Sequence, residues 1–99
     1  MSAGFVYLLH FDTPLAHARH YIGSTDNLER RLKQHSKGRS ACIMRAVTEK
    51  GITWRLARTW PYETLHEARL AEHHFKESYK NARRTLCPIC REERNHVDN

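Results

Sequence analysis

The stretch from residue 20 to residue 38 constrains the fold most, because a strand pattern gives way to a helix pattern within a few residues. Tyr21 lies in a short extended run, and Gly23 allows the backbone to turn sharply. Asp26, followed three residues later by Glu29, is typical of a capped helix start. An aromatic hydroxyl, a turn and a basic helix in this order indicate phosphate chemistry.

The first predicted helix, residues 27–36, carries two polar side chains beside its apolar stripe. Leu28 and Leu32 define the buried stripe. Arg31 and His35 are three or four residues from these leucines, so they lie on or beside the same face. We therefore expect both side chains to point inward or toward a cleft.

Two extended segments precede this helix. Residues 5–9 are β-branched and aromatic and predict a first strand, and residues 20–23 predict a second. Residues 11–19 contain Pro14 and several polar side chains, so we expect them to form a long loop. The two strands are predicted to pair as an antiparallel hairpin.

The middle of the chain predicts a second helix and a third strand. Gly38 should end the first helix as a left-handed cap. Ser40 is the expected cap of a helix that runs to about Lys50 and ends at Gly51. Partial alternation over residues 53–60 predicts the third strand.

The third helix is predicted to begin at Thr64, with a carboxylate inside its apolar stripe. The stripe is formed by Leu65, Ala68, Ala71, Phe75 and Tyr79. Glu72 lies within it, and an unpaired buried carboxylate costs several kcal/mol. We therefore expect Glu72 to have an arginine, a hydroxyl or a metal ion as its partner.

These elements predict an α/β fold in which a small three-stranded, mainly antiparallel sheet is flanked by about three helices. Ninety-nine residues suffice for one domain with one modest core. The net charge of +6 favours an anionic partner, most often nucleic acid, over an inert basic surface. No apolar run is long enough to span a membrane and the first residues do not resemble a signal peptide, so we expect a cytoplasmic protein.

Three cysteines, an odd number, argue against a disulfide framework. Cys87 and Cys90 have the Cys-x-x-Cys spacing of half a tetrahedral zinc site, which needs two further ligands. Only His96 follows them, and the other histidines considered as ligands are His35, His73 and His74. A zinc site, a redox pair and a structural turn or tail remain open, and the sequence favours the last.

The order of these motifs resembles the GIY-YIG nuclease family. The resemblance is carried by residues 5–7, 21–23, 27–35 and 67–76, and it covers the chain up to about Lys80. It implies a catalytic domain over residues 1–82. Residues 83–99 form a C-terminal extension with the Cys-x-x-Cys motif that is either part of the same domain or a tail.

The first motif departs from the family name. Phe5 and Val6 stand where the name has glycine and isoleucine, which leaves Tyr7 as the matching functional residue.

The resemblance also implies a DNA endonuclease that uses one Mg²⁺ or Mn²⁺ ion. Glu72 matches the glutamate that holds the metal, and Arg31 matches the catalytic arginine. Tyr7 matches the tyrosine proposed to activate water, Tyr21 would position water or phosphate, and His35 would hydrogen-bond to a tyrosine or share the proton transfer.

Each of these residues also has a purely structural interpretation. Tyr7 and Tyr21 would be packing residues, Arg31 a surface residue, and His35 a charge partner at a helix end. Glu72 would form an ion pair with Arg31. The rival function is a noncatalytic nucleic-acid-binding module, and a second rival is a zinc-stabilised interaction protein.

Basic side chains near the predicted cleft are candidates for contacts with nucleic acid. They are Arg30, Lys33, Lys37, Arg39 and Arg45. The chain contains no separate sequence-reading module, which favours single-stranded or branched DNA, or recognition through a protein partner or a homo-oligomer, over a long duplex site.

Overall fold

The computed structural model of the chain describes residues 3–80 and 82–97, the last four of them by backbone alone. It has an antiparallel sheet with strand order β2-β1-β3, which confirms the predicted α/β fold. The strands are β1 (Gly4–Leu15), β2 (Ala18–Thr25) and β3 (Trp54–Tyr62). The helices are α1 (Leu28–Ser36), α2 (Cys42–Glu49), α3 (Leu65–Ser78) and α4 (Pro88–Val97), with a 3-10 helix at Arg83–Leu86.

The central strand β1 is buried on both faces and separates two apolar clusters. One cluster contains Tyr7, Leu9 and Phe11 with residues of α1 and α2, including Leu28, Leu32, Met44 and Val47. The other contains Val6 and Leu8 with residues of β2, α3 and the C-terminal segment, including Ile22, Ala68, Leu86 and Cys87. Successive residues of a strand point to opposite faces, so β1 supplies side chains to both clusters.

The hairpin is longer than predicted, and the expected loop over residues 11–19 is wrong. β1 continues to Leu15, which pairs with Ala18, and the connection is only Ala16 and His17. Asp12 also donates its backbone N–H to Thr53 O at 2.9 Å. Main-chain pairing with both neighbouring strands therefore extends β1 through a polar sequence, and a register shift after His10 accommodates it.

The helix starts differ from the prediction at two places. Asn27, not Asp26, caps α1 and accepts the N–H of Arg30 at 3.0 Å. Asp26 instead pairs with the Arg30 guanidinium at 2.9 Å. The first residue of α2 follows Ala41 without a side-chain cap, because Ser40 is hydrogen-bonded to His35.

The other predicted helix ends are confirmed. Thr64 caps α3 by accepting the N–H of Glu67 at 3.1 Å. Gly38 and Gly51, with φ of 67° and 68°, follow α1 and α2 in the left-handed conformation expected of terminating glycines.

The C-terminal segment forms structure of its own on the α3 side of the sheet. Leu86 and Cys87 are buried in the cluster with Val6 and Leu8, and Pro88 is the first residue of α4, a position that suits proline. The sequence favoured a turn or tail here, whereas the structure shows a fourth α-helix. None of the helices in the described ranges has the length and apolarity needed to cross a membrane.

Candidate active site

The hydroxyl of Tyr7 lies at the centre of a small polar cluster between the sheet and α1. Its oxygen is 2.7 Å from Nε2 of His35, and Arg31 Nε donates to it at 3.4 Å. Tyr7 and His35 are completely buried, while Arg31 is half-buried. The predicted inward direction of Arg31 and His35 is therefore what the structure shows.

Hydrogen bonds define how His35 is held. Since Tyr7 oxygen already accepts from Arg31, its own proton can be donated to His35 Nε2. The other ring nitrogen, Nδ1, is hydrogen-bonded to Ser40 Oγ and carries the proton in this arrangement. Burial, reinforced by the Arg31 charge, lowers the pKa of His35 to about 4, so the ring is neutral near pH 7.

The environment of Tyr7 favours the protonated phenol. Burial raises the pKa of Tyr7 above its ordinary value, and the hydrogen bond from Arg31 partly opposes this effect. The charges of Tyr21 and Glu72 also act to raise the pKa. A free phenolate is thus disfavoured, whereas a phenol that passes its proton to His35 is consistent with the contacts.

Tyr21 and Gly23 complete the wall around Tyr7. The Tyr21 ring centroid is 6.1 Å from that of Tyr7 and 5.4 Å from that of His35. A side chain at residue 23 would place its Cβ 2.6 Å from Cζ of Tyr7, which is far inside contact distance. Glycine is required there because the Tyr7 ring lies directly against the backbone of β2.

Glu72 approaches from α3 at the β2 edge of the sheet. One carboxylate oxygen accepts from Ser24 Oγ, and the other is 2.7 Å from Lys76 Nζ. The same ammonium lies 5.9 Å from the centre of the Tyr21 ring. The predicted need for a partner is met by a hydroxyl and a lysine, while Arg31 reaches Tyr7 and Gln34 instead.

The donors around Glu72 fit a hard divalent cation. A carboxylate and the adjacent Ser24 hydroxyl offer oxygen atoms, and Mg²⁺ is usually held by one or two carboxylates while it keeps several waters. The Glu72 side chain is 22% exposed, so water and phosphate can reach it. Lys76 occupies one carboxylate oxygen and would have to share or leave it.

The five predicted DNA-contacting residues lie on exposed surfaces of the α1 and α2 region. Arg30, Lys33 and Arg45 form ion pairs four residues apart along their helices, with Asp26, Glu29 and Glu49. Lys37, Arg39 and Arg45 line one shallow groove of about 430 Å³. Three of the five candidates therefore share a surface.

The two cysteines of the Cys-x-x-Cys motif lie elsewhere, beside His10 and His20. Neither histidine was a predicted ligand. His35 belongs to the Tyr7 cluster, His73 and His74 are exposed on α3, and the side chain of His96 is outside the described residues. His10 and His20 pair across the hairpin, and the expected loop over residues 11–19 did not fix the strand register that brings them together.

Ser24, Ser40 and Lys76 are site residues that sequence reasoning missed. Ser24 follows Gly23 and so points to the α3 face, where Glu72 lies. Lys76 is one helical turn after Glu72, a spacing that commonly forms ion pairs. Ser40 gives no such signal, because a helix cap was the simpler interpretation of its position.

Comparison with known families matches the part of the chain that contains Tyr7, Arg31, His35 and Glu72. The family model described as the GIY-YIG catalytic domain matches residues 3–86. No curated protein and no solved structure matches the chain.

Proposed function

The chain belongs to the GIY-YIG catalytic domain family, whose members are nucleases, and we propose that it is a divalent-metal-dependent DNA endonuclease that hydrolyses phosphodiester bonds. One observation carries the proposal. The Tyr7 hydroxyl is held between the Arg31 guanidinium and the neutral ring of His35, with Glu72 close enough for its charge to affect Tyr7.

Tyr7 and His35 are the proposed route for the proton of the attacking water. The Tyr7 oxygen takes that proton while its own passes to His35 Nε2, so the buried phenol need not ionise first. His35 Nδ1 can in turn share its proton with Ser40. Arg31 stabilises negative charge that develops on the Tyr7 oxygen.

Arg31 is also the proposed phosphate contact. Its Nη1 donates to Gln34 at 3.2 Å, which fixes the plane of the guanidinium while Nε reaches Tyr7. A planar, oriented guanidinium can donate two parallel hydrogen bonds to phosphate oxygens. Charge that accumulates on those oxygens as water attacks would be stabilised by the same group.

Glu72 is the proposed ligand of the divalent ion, Mg²⁺ or Mn²⁺. Such an ion supplies positive charge that stabilises the phosphate and the leaving oxygen. Ser24 orients the carboxylate through its hydroxyl, and Lys76 neutralises it when no cation is there. The pair of neighbours explains how a half-buried carboxylate is tolerated on α3.

The proposed substrate is DNA, bound through the groove of Lys37, Arg39 and Arg45 and the nearby Arg30 and Lys33. The exposed basic side chains can follow a phosphate backbone without a fixed duplex site, so we propose recognition of single-stranded or branched DNA. A protein partner or a second copy of the chain would extend the contact surface. We place this activity in the cytoplasm.

Cleavage of end-labelled DNA tests the function. Wild type should cut at least one of single-stranded, duplex and branched DNA when Mg²⁺ or Mn²⁺ is present, and RNA serves as the comparison substrate. Arg31→Gln should lower cleavage at least about 100-fold, the scale of a lost transition-state donor. Arg69→Gln, an exposed change on α3, should leave cleavage unchanged.

A noncatalytic binding module would give a different pattern. In that case the wild type would bind these nucleic acids without cutting any of them under either metal. Cleavage that Arg31→Gln leaves intact would instead contradict the proposed role of Arg31.

A further inference from the structure

Four side chains that can bind a metal converge on the face of the hairpin opposite Tyr7. They are His10 on β1, His20 on β2, and Cys87 and Cys90 at the start of α4. Their donor atoms all lie within 4.8 Å of one another. His10 Nδ1 is 3.5 Å from each sulfur, and His20 Nε2 is 3.2 Å from Cys90 Sγ.

These distances match the separations between ligand atoms around a tetrahedral zinc ion. Zinc lies about 2.3 Å from sulfur and about 2.0–2.1 Å from histidine nitrogen, which puts tetrahedral ligand atoms roughly 3.3–3.8 Å apart. Two of the three nitrogen–sulfur distances lie within that range, and the third, at 3.2 Å, is just below it. Two nitrogens and two sulfurs around one centre are a donor set typical of zinc.

Burial makes the cluster difficult to explain by packing alone. His10 and Cys87 are completely buried, and His20 is 7% exposed. Among the described side chains, His10 Nε2 lacks a hydrogen-bond partner, a costly state for a buried polar atom. Glu93 Oε1 is 3.6 Å from it, just beyond hydrogen-bond distance.

Coordination through Nδ1 accounts for the Glu93 carboxylate. A histidine bound to zinc through one nitrogen carries its proton on the other and usually donates it to a carboxylate or carbonyl. Glu93 faces that nitrogen of His10 and also pairs with Arg19 and Arg55. A small closure of the 3.6 Å gap would complete the usual histidine–carboxylate arrangement.

The backbone around the cysteines also favours bound thiolates. The Cys90 N–H points at Cys87 Sγ at 3.5 Å, a contact that stabilises negative charge on sulfur. Pro88 begins α4, so both sulfurs lie at the positive end of a helix.

We propose that His10, His20, Cys87 and Cys90 bind one structural zinc ion. Four protein ligands fill a tetrahedral site and leave no position for water or substrate, which distinguishes a structural from a catalytic zinc. The ion fastens α4 to the two strands that carry Tyr7 and Tyr21. It therefore supports the hairpin from the face opposite the Tyr7 cluster.

Two chemical features separate this site from the other possibilities on the molecule. A redox pair would use Cys87 and Cys90 alone and would not require His10 and His20 to converge on them. Glu72 and Ser24 offer oxygen donors suited to Mg²⁺, whereas sulfur and imidazole select zinc. The protein is thus expected to hold two different metals, each at its own site.

Zinc content of the full-length chain tests the site without any nuclease assay. Protein loaded with zinc under reducing conditions and freed of unbound metal should retain about one zinc per chain. Cys90→Ala and His20→Ala should each lose it, as measured by elemental analysis. Cys42→Ser, which changes the exposed cysteine outside the cluster, should retain it, and so should Glu72→Gln.

Cobalt spectra of the wild type keep the test independent of whether a variant folds. Co²⁺ at this site should show the intense visible bands of tetrahedral geometry and a thiolate charge-transfer band. Removal of zinc by a chelator should lower the melting temperature of wild type and Cys42→Ser.

Three results would overturn the site. They are a folded, reduced wild type that holds no zinc after loading, a six-coordinate cobalt spectrum without thiolate bands, and equal zinc loss in Cys42→Ser and Cys90→Ala. Loss of cleavage in Glu72→Gln with zinc retained would leave the structural site supported, so the two metals are tested separately.

Discussion

The Tyr7 hydroxyl is hydrogen-bonded to the Arg31 cation and to the neutral ring of His35. Arg31 donates to its oxygen at 3.4 Å, and His35 Nε2 lies 2.7 Å away. Because His35 is buried beside a permanent positive charge, protonating its ring would place two positive charges next to each other. Burial and the Arg31 charge therefore keep His35 neutral and able to accept the phenol proton.

The buried neutral state of His35 predicts a loss of stability in acid. Its pKa is about 4 in the folded chain and near 6.5 when unfolded, so the unfolded state binds the proton first as pH falls. Stability should fall from about pH 6.5 to about pH 4, by at most about 3 kcal/mol from this residue. Arg31 and Tyr7 lie beside the ring, and because the pKa of each is raised, neither is expected to titrate in that range.

Chemical denaturation of wild type and His35→Gln between pH 4 and pH 7 measures this contribution. The free energy of unfolding of His35→Gln should depend less on pH, and His66→Gln, an exposed change on α3, should behave like wild type. Equal pH dependence in wild type and His35→Gln would contradict the assigned neutral state.

For individual residues, the sequence patterns predicted which side chains point into the site better than they predicted the partners of those side chains. The helical spacing of Arg31 and His35 predicted that both point inward, and the structure confirms it. The partners of Glu72 were not predictable, because Ser24 reaches it across 48 positions of sequence. Likewise, Ser40 contacts a histidine rather than capping its helix.

Among the secondary-structure elements, β2 constrains the position of Tyr7 most closely. Tyr7 lies against the backbone at Gly23, where a new Cβ would be 2.6 Å from Tyr7 Cζ and 3.0 Å from Tyr21 Cε2. Tyr7 is completely buried, so any displacement would disturb the packed side chains around it. Strand pairing and the position of the phenol are therefore coupled.

Gly23→Ala should displace Tyr7 and separate it from His35. We expect a loss of about 1–3 kcal/mol in stability from overpacking, and at least about a tenfold loss of cleavage. Gly51→Ala is the matched control, because its φ of 68° should cost about 1 kcal/mol although no described atom lies within 4 Å of the new Cβ. Its cleavage per folded molecule should equal wild type, whereas wild-type cleavage in Gly23→Ala would show that Tyr7 placement is not critical.

The boundaries of helices and strands were predicted correctly where local geometry decides them and wrongly where distant partners decide them. Thr64 and the two terminating glycines were predicted because caps and left-handed glycines depend on local geometry. The extension of β1 to Leu15 depends on partners in β2 and β3, which a polar local sequence does not reveal. The helix after Cys87 was missed for a similar reason, since its packing on Val6 and Leu8 is long-range.

For the molecule as a whole, the net positive charge favours attraction of nucleic acid. Seventeen lysines and arginines against eleven acidic residues leave a net charge of +6. The groove formed by Lys37, Arg39 and Arg45 concentrates part of this charge beside α1 and α2. A second cavity, lined by Arg19, Lys80, Arg83 and Arg84 among others, lies near the cysteines.

The salt dependence of binding should distinguish these two surfaces. Each phosphate contact contributes about 0.9 to the slope of log affinity against log salt for duplex DNA and about 0.7 for single strands. Lys37→Gln/Arg39→Gln should therefore reduce the slope by roughly 1.8 or 1.4, while Lys80→Gln/Arg84→Gln, in the second cavity, should leave it unchanged. A reduction confined to the second pair would move the DNA to the other side of the molecule.

The two proposed metal sites use different residues, and the proposed endonuclease activity depends on the Glu72 site. Cleavage should be measured over a series of Mg²⁺ and Mn²⁺ concentrations for wild type, Glu72→Gln and Glu77→Gln. The second variant changes an exposed glutamate on the same helix and serves as the control. We predict metal-dependent cleavage by wild type and Glu77→Gln, and at least about a 100-fold loss in Glu72→Gln. Undiminished cleavage by Glu72→Gln at every metal concentration would contradict the assignment of Glu72 as the metal ligand.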